Sequence, residues 1–406
     1  MHDLRDNGPG APVSSVYVHI PFCRDRCTYC SFPTVPDDPA QHRPVVEGVI
    51  AEAARAAPTS SLRSLYLGGG TPGLLGKEDL ERLLDGLSER FGLEPGAEIT
   101  LEANPTNVTA ESLAAWAELG VNRVSLGVQT FDDPTLRSLA RRHDAADARR
   151  SLALLAEHWS ASWSADLLVG WRGQAPEDLD RDIEGLLEHD PPHVSVYRLT
   201  VEPRTPMQQL ATKGRIVHLA DDQADLLDPH WAARLQAAGY ERYEVSNFAL
   251  EGRRSRHNQV YWANASYLGL GPGAASSVHP LRWRNRRDPA AWLAALETGR
   301  SVREACEHVA PLPRLLESLA IGLRTRDGLP TATLDLRFTP AWRDLLHRTT
   351  EHLLDSGMLT WEGDRVFIPG EHLVKVDGIL RDLIYRLSRI DDDAAANHPH
   401  IAGISR

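Results

Sequence analysis

Long apolar runs are missing from this sequence. No stretch approaches the roughly 18 consecutive apolar residues that a membrane-spanning helix needs, and Met1–Pro12 lacks the charged-then-apolar pattern of a secretory signal, so a cytoplasmic protein is expected. A basic surplus is missing too. Lys and Arg number 44 against 56 Asp and Glu, a formal net charge of −12, and apart from short runs such as Arg282, Arg284, Arg286 and Arg287 the cations are dispersed. Binding driven by a nucleic-acid backbone is therefore not expected. Internal repeats and low-complexity tracts do not occur, and cysteine is scarce, with 4 in 406 residues. What is present, 42% hydrophobic and 25% charged, suffices for a large core and one smaller appended domain, which excludes a fibrous or disordered chain.

The few cysteines are crowded. Cys23, Cys27 and Cys30 have the spacing C-x3-C-x2-C, while Cys306 lies far away and reads as a buried small hydrophobe. In a reducing compartment such crowding points to a metal or cluster rather than to disulfides. One loop of this spacing folds around an iron–sulfur cubane and presents three thiolates, and since such clusters normally take four cysteines, one iron stays open. An amino acid with a free amine and carboxylate would chelate that iron. The alternative is zinc or a set of reactive thiols; zinc wants a fourth Cys or His at ligand spacing, and the nearest, His19 and His42, make no common pattern.

Short β-branched runs alternate with amphipathic stretches for two thirds of the chain, the signature of βα units around a parallel sheet. Strands are predicted at Val16–Ile20, Ser64–Leu67, Glu98–Leu101, Arg123–Leu126, Ala165–Val169 and His193–Leu199, with helices over Pro44–Ala56, Lys77–Phe91, Ala110–Leu119, Asp144–His158, Pro176–His189 and Asp221–Ala238. Thr109 is the expected N-cap of one helix, and Gly92 and Gly120 follow two others. Six such strands suit a partial (β/α)6 barrel with its reactive groups at the C-terminal strand ends. The expected organisation is a short tail 1–15, the barrel 16–240, an extension 241–300 carrying a His-aromatic segment, a small helical domain 301–390 with a hairpin and a winged-helix shape, and a frayed polar tail 391–406.

The run Cys23-Arg24-Asp25-Arg26-Cys27-Thr28-Tyr29-Cys30, with an aromatic directly before its third cysteine, resembles the CxxxCxΦC signature of the radical S-adenosylmethionine (SAM) superfamily. The resemblance implies a 4Fe-4S cluster on Cys23, Cys27 and Cys30 and SAM at the open iron, with the cofactor carrying the radical chemistry while the protein orients it. Gly68-Gly69-Gly70-Thr71-Pro72 resembles the glycine motif of that family and implies SAM contacts at Gly69, Gly70 and Thr71. Tyr17-Val18-His19-Ile20-Pro21-Phe22-Cys23 resembles the oxygen-independent coproporphyrinogen III oxidase branch, in which the tyrosine lies near the sulfonium. On that pattern Glu102, Gln129, Arg141 and Asp166 are the further SAM-contacting positions; the resemblance runs from about Val16 to about Val376.

Within the branch, the dehydrogenases resemble C-x3-C-x2-C-x-C with a long N-terminal extension. This chain has Phe32 at the extra cysteine position and fifteen residues before its first predicted strand. His257-Asn258-Gln259-Val260-Tyr261-Trp262 resembles instead the HNxxYW motif of the HemW family of haem chaperones, which implies haem near His257, Tyr261 and Trp262, and a haem-accepting apoprotein as partner. Decarboxylation of coproporphyrinogen III is the runner-up, another radical SAM reaction is third, and no catalytic residue is assigned. A transient contact with a membrane protein fits a chain without a span of its own. One segment departs from the branch: where it reads D-L-I-Y-G-L-P-G-Q, this chain has Asp166-Leu167-Leu168-Val169-Gly170-Trp171-Arg172-Gly173-Gln174, which is expected to alter the rim of the site.

Overall fold

Alternate residues of the first six strands are apolar, and the structure shows what each set faces. The computed structural model describes residues 13–56, 60–215, 218–338 and 341–397. Strands β1 (Ser15–Ile20), β2 (Leu62–Gly69), β3 (Leu93–Ala103), β4 (Arg123–Gln129), β5 (Ser162–Val169) and β6 (His193–Arg198) lie parallel and side by side in chain order. Val16, Val18 and Ile20 of β1, Leu65 and Leu67 of β2, and Val124, Leu126 and Val128 of β4 belong to one core with Val45, Val46 and Val49 of helix α1 (Pro39–Arg55) and Leu80, Leu83 and Leu87 of helix α2 (Lys77–Phe91). Because strand side chains alternate with period two, the residues between them point to the other face. That face is polar: Ser15 and Ser64, Tyr66 and Glu102, and Ser125, Ser164 and Asp166 are hydrogen-bonded to one another across neighbouring strands. The result is the expected partial (β/α)6 barrel, with an interior lined by hydrogen-bonding groups rather than filled by branched aliphatics.

The helices follow their sequence signals. Thr109 caps Ala110–Glu118 by accepting from the backbone of Ser112, while Gly92 and Gly120 adopt the left-handed φ of +70° and +86° that ends a helix cheaply. Asp221–Ala237 follows the barrel helices, at almost its predicted bounds.

The region 241–300 is not an extension outside the barrel. Leu268–Leu270 pairs in parallel with β1, Asn247–Ala249 pairs antiparallel with β6, and Glu241–Arg242 adds beyond it, so the sheet has nine strands. Phe248, Leu268, Leu270 and Trp292 sit in the barrel's own core. Glu52 on α1 fastens this return: its carboxylate accepts from Gly271 N at 2.9 Å, Asn285 Nδ2 at 2.7 Å and Trp292 Nε1 at 3.1 Å. A second sheet, Ala275–Val278, Leu281–Asn285 and Arg303–His308, carries the chain past residue 300, which moves the boundary to about Ala310. Cys306 lies on the edge strand of that sheet and is exposed, not a buried hydrophobe, because every residue of Arg303–His308 is solvent-facing.

The small domain has its own core, including Leu315, Leu319, Leu334, Trp342, Leu346, Val366 and Leu383. Helices Pro311–Gly322, Thr331–Arg337 and Ala341–Asp355 precede a hairpin whose strand Arg365–Phe367 lies between Thr360–Glu362 and Leu329–Pro330, a winged-helix arrangement. Helix Val376–Asn397 continues into the segment 391–406 that composition assigns to a frayed tail; 398–406, like 1–12 of the predicted N-terminal tail, lie outside the described residues.

Candidate functional site

The polar interior of the barrel opens at the C-terminal strand ends into a cleft of about 440 Å³. Cys23, Cys27 and Cys30 line it together with Gly69, Gly70, Thr71, Glu102, Gln129, Arg141 and Asp166. Barrel geometry accounts for much of the convergence, since the cysteines, Gly69, Gly70, Thr71, Glu102 and Gln129 stand at or just past strand ends, while Asp166 points inward from within β5 and Arg141 reaches in from the connection after β4. Tyr17 is not in the lining. It is half-buried one strand-step deeper, its hydroxyl 3.0 Å from His19 Nδ1 and its ring stacked 6.0 Å from Tyr66.

The cysteine loop is held through Thr28 and Tyr29. Thr28 N donates to Leu139 O at 3.1 Å and Thr28 O accepts from Met207 N at 2.8 Å, while Tyr29 packs on a small cluster of Leu139, Leu168, Trp171, Leu199 and Met207. Gly70 explains its own identity: a Cβ there would lie 2.5 Å from the backbone oxygen of Phe22, so the loop's first strand approaches the glycine run closely. At Gly69, where φ is +110°, a Cβ would strike the His19 ring at 2.4 Å. The glycines thus serve contact between two protein segments as well as lining the cleft.

Arg141 organises the site. One terminal nitrogen donates to Asn104 Oδ1 at 2.5 Å and Gly127 O at 2.7 Å, and the other reaches Cys27 Sγ at 3.4 Å. Asn104 in turn donates to Thr71 Oγ1 at 3.0 Å, and that hydroxyl is 3.8 Å from Cys23 Sγ. Glu102 accepts from Tyr66 OH at 2.8 Å and Gly69 N at 3.0 Å; Asp166 accepts from Ser125 Oγ at 3.2 Å. Burial pushes the Glu102 carboxyl up to about 7 and the Asp166 carboxyl up to about 6, against partial relief from these donors.

This donor set fits a cluster and a cationic amino acid. Burial pushes the Cys23 thiol up to about 11 and raises that of Cys30, so thiolates there need a metal's charge to persist. Cluster thiolates each bind a different iron, so the three thiols need not converge on one ion. His19 is also spent: its Nδ1 faces Tyr17 and its Nε2 faces Pro33 O at 2.9 Å, while His42 Nε2 pairs with Asp37 at 2.8 Å. Among the described residues Asp166 Oδ1 and Arg141 Nε are buried without a hydrogen-bond partner, an acceptor and a donor left over beside the cleft.

The His-aromatic segment is elsewhere. It forms the helix Arg256–Trp262 at the opposite end of the barrel interior, started by Ser255 and by Glu98, whose carboxylate accepts from Arg256 N at 3.0 Å and His257 N at 2.9 Å. His257 is 1% exposed. Its Nδ1 lies 2.9 Å from Ser64 Oγ, its Nε2 lies 2.9 Å from Tyr261 OH, and its ring stacks 5.0 Å from Tyr66. With the Ser64 proton given to Ser15, His257 donates through Nδ1 and accepts through Nε2, a neutral ring that burial holds down to about 3. So placed, both ring nitrogens of His257 are engaged by hydroxyl groups. Tyr261 is engaged with it, and Trp262, half-buried on the helix's last turn, does not line the cleft.

Sequence reasoning overlooked Tyr66, Asn104, Ser125 and Tyr197, which also line the cleft. Their signal was available: Tyr66 is two residues from Ser64, Ser125 two from Gly127, and Tyr197 two from Ser195, all on the inward face. Val169, Trp171 and Arg172, expected to reshape the rim, are not in the lining; Val169 and Trp171 are buried in apolar clusters.

Comparison with known proteins supplies an independent line. Residues 17–186 match the Radical SAM superfamily and residues 309–371 match the HemN C-terminal domain. The chain is 34% identical over 390 residues, 93% of its length and 96% of the relative's, to "Heme chaperone HemW" of Mycobacterium tuberculosis. It is 36% identical over 307 residues to the protein of that name in Escherichia coli, covering 72% of this chain and 79% of that one. "Radical S-adenosyl methionine domain-containing protein 1, mitochondrial" of Bos taurus is 34% identical, over 93% and 89% of the two chains. Coproporphyrinogen III oxidase (HemN) from Escherichia coli, described as a radical SAM enzyme, superposes with a TM-score of 0.78 at 19% identity over 93% of this chain and 90% of that one, a likeness of fold.

Proposed function

Since the chain belongs to the radical SAM superfamily, in the branch that holds the HemW haem chaperones, we propose that it binds a 4Fe-4S cluster, SAM and haem, and hands the haem to an apoprotein in the cytoplasm. The observation that carries the first half is the gathering of Cys23, Cys27 and Cys30 into one cleft with Glu102, Arg141 and Asp166. Cys23, Cys27 and Cys30 hold the cluster, whose chemistry when bound is one-electron reduction of a sulfonium. Glu102 and Asp166 offer carboxylate oxygens to the cationic ligand, with Asp166 Oδ1 free to take a donor. Arg141 stands against the Cys27 thiolate and, through Asn104, fixes Thr71. Gly69, Gly70 and Gln129 shape the remaining wall, and the low dielectric of the buried interior strengthens each of these contacts.

For haem, the support is kinship with proteins named as haem chaperones. Phe32 in place of a further cysteine favours this over oxidation of coproporphyrinogen III, the second reading. The test is a haem titration of the anaerobically reconstituted protein, followed by transfer to an apoprotein. A shifted Soret band that moves to the acceptor is expected; an unshifted band overturns the haem reading, and carbon dioxide release coupled to 5'-deoxyadenosine from coproporphyrinogen III favours the oxidase.

A further inference from the structure

Phe32, two residues past Cys30, is 58% exposed and lines the cleft. Tyr197, 41% exposed, lines the same cleft from the end of β6. Large aromatic faces left to water around one opening mark a place where something apolar and flat is expected to lie.

Arginine predominates beside them, although Asp25 and Glu202 also line the cleft. Arg24 and Arg26 line the cleft, and Arg26 Nη2 donates to Cys30 O at 3.4 Å. Arg287 Nη2 donates to Ser31 O at 3.0 Å, which brings a third guanidinium against the same loop. Burial, and then the nearby cations Arg284, Arg204 and Arg26, lower the pKa of Arg287. Neighbouring arginines find acids, Arg142 with Asp25 at 3.2 Å and Arg198 with Asp225 at 2.6 Å, but among the described residues Arg24, Arg26 and Arg287 form no ion pair. In a chain of net charge −12, an arginine surplus at a single opening focuses a field that attracts anions.

We propose that the mouth of the cleft is a docking platform for a planar macrocycle bearing carboxylates: the ring lies on Phe32 and Tyr197, and the carboxylates are gripped by Arg24, Arg26 and Arg287. The inference rests on the haem reading above and gives it a location. Arginine is the side chain suited to this, since its planar fork meets a carboxylate with two parallel hydrogen bonds and stacks on flat π systems.

The test uses the full chain, reconstituted anaerobically, and mesoporphyrin IX as an iron-free fluorescent dicarboxylate. Its dimethyl ester, in the same buffer, is the control. The diacid is expected to bind at least tenfold more tightly than the ester, and to weaken as sodium chloride is raised. Arg26→Gln with Arg287→Gln is expected to weaken the diacid at least tenfold, and Phe32→Ala severalfold, with iron content reporting that the loop is intact. The ester comparison is made on unaltered protein, so it stands even where a variant loses iron. Equal binding of diacid and ester overturns the platform and leaves the haem reading standing. Failure of the unaltered chain to bind either porphyrin, and haem with them, overturns both.

Discussion

The two ends of the barrel interior are built from the same strands and the same polar residue types, yet they differ in how fully their polar groups are paired, although His193 Nδ1 at the start of β6 also lacks a partner. At the closed end, Glu98 is met by two backbone N–H groups, Ser64 by Ser15 and His257, and both nitrogens of His257 by hydroxyls. At the open end, Asp166 keeps an oxygen unpaired, Arg141 keeps a nitrogen unpaired, and three thiols share one cleft. A buried polar group without a partner costs roughly 1–3 kcal/mol, so a fold tolerates it where a ligand compensates. The contrast teaches that hydrogen-bond completeness, more than residue type, separates a binding site from an internal brace.

The sharpest way to break this contrast is Cys27→Ser. It is expected to abolish cluster retention, measured as iron and sulfide per chain, while the melting temperature of the metal-free protein hardly moves. His257→Gln should do the reverse, keeping iron but losing ~3 kcal/mol of stability, because Ser64 or Tyr261 is left unsatisfied and the stacked ring is lost; denaturant titration checks it, and loss of iron without loss of stability would refute the assignment of His257 to the brace. Asp166→Asn should weaken SAM binding about tenfold, ~1.4 kcal/mol, without lowering the melting temperature of the ligand-free protein. Calorimetric titration and thermal melts separate these effects.

Acidity offers the gentlest probe. Glu102 at about 7 and Asp166 at about 6 are largely neutral below those values, and a cationic ligand favours their ionised forms. SAM affinity is therefore expected to fall as pH drops through 7 and 6 and to level off above 7. At the other end, His257 is held neutral from 6.5 down to about 3, so the unfolded chain binds the extra proton in that window. Stability should decline as pH falls below 6.5, and His257→Gln should flatten that slope.

Much of this was legible in the sequence, for identifiable reasons. The six long strands and the helices between them announce themselves by period, and Lys77–Phe91 coincides with its prediction. The cysteine loop and the glycine run were readable because each follows a strand, and Asp166 because it lies on one. Residues 241–270 misled because strands of two or three residues, such as Glu241–Arg242 and Leu268–Leu270, carry no period and are fixed by their pairing partners. His257 is not legible for a different reason: a histidine among aromatics has the same composition in a haem pocket and in a hydrogen-bonded core. Cys306 misled because an edge strand exposes residues that composition alone would bury.

The return of residues 241–270 to both margins of the sheet bears on how the chain is made. Until Asn247–Ala249 and Leu268–Leu270 emerge from the ribosome, β6 and β1 present raw edges to any passing strand. A nascent chain stopped at Ala238 holds every cysteine of the loop and yet cannot seal its own borders, so its vulnerable interval during synthesis ends only when Leu270 has been added.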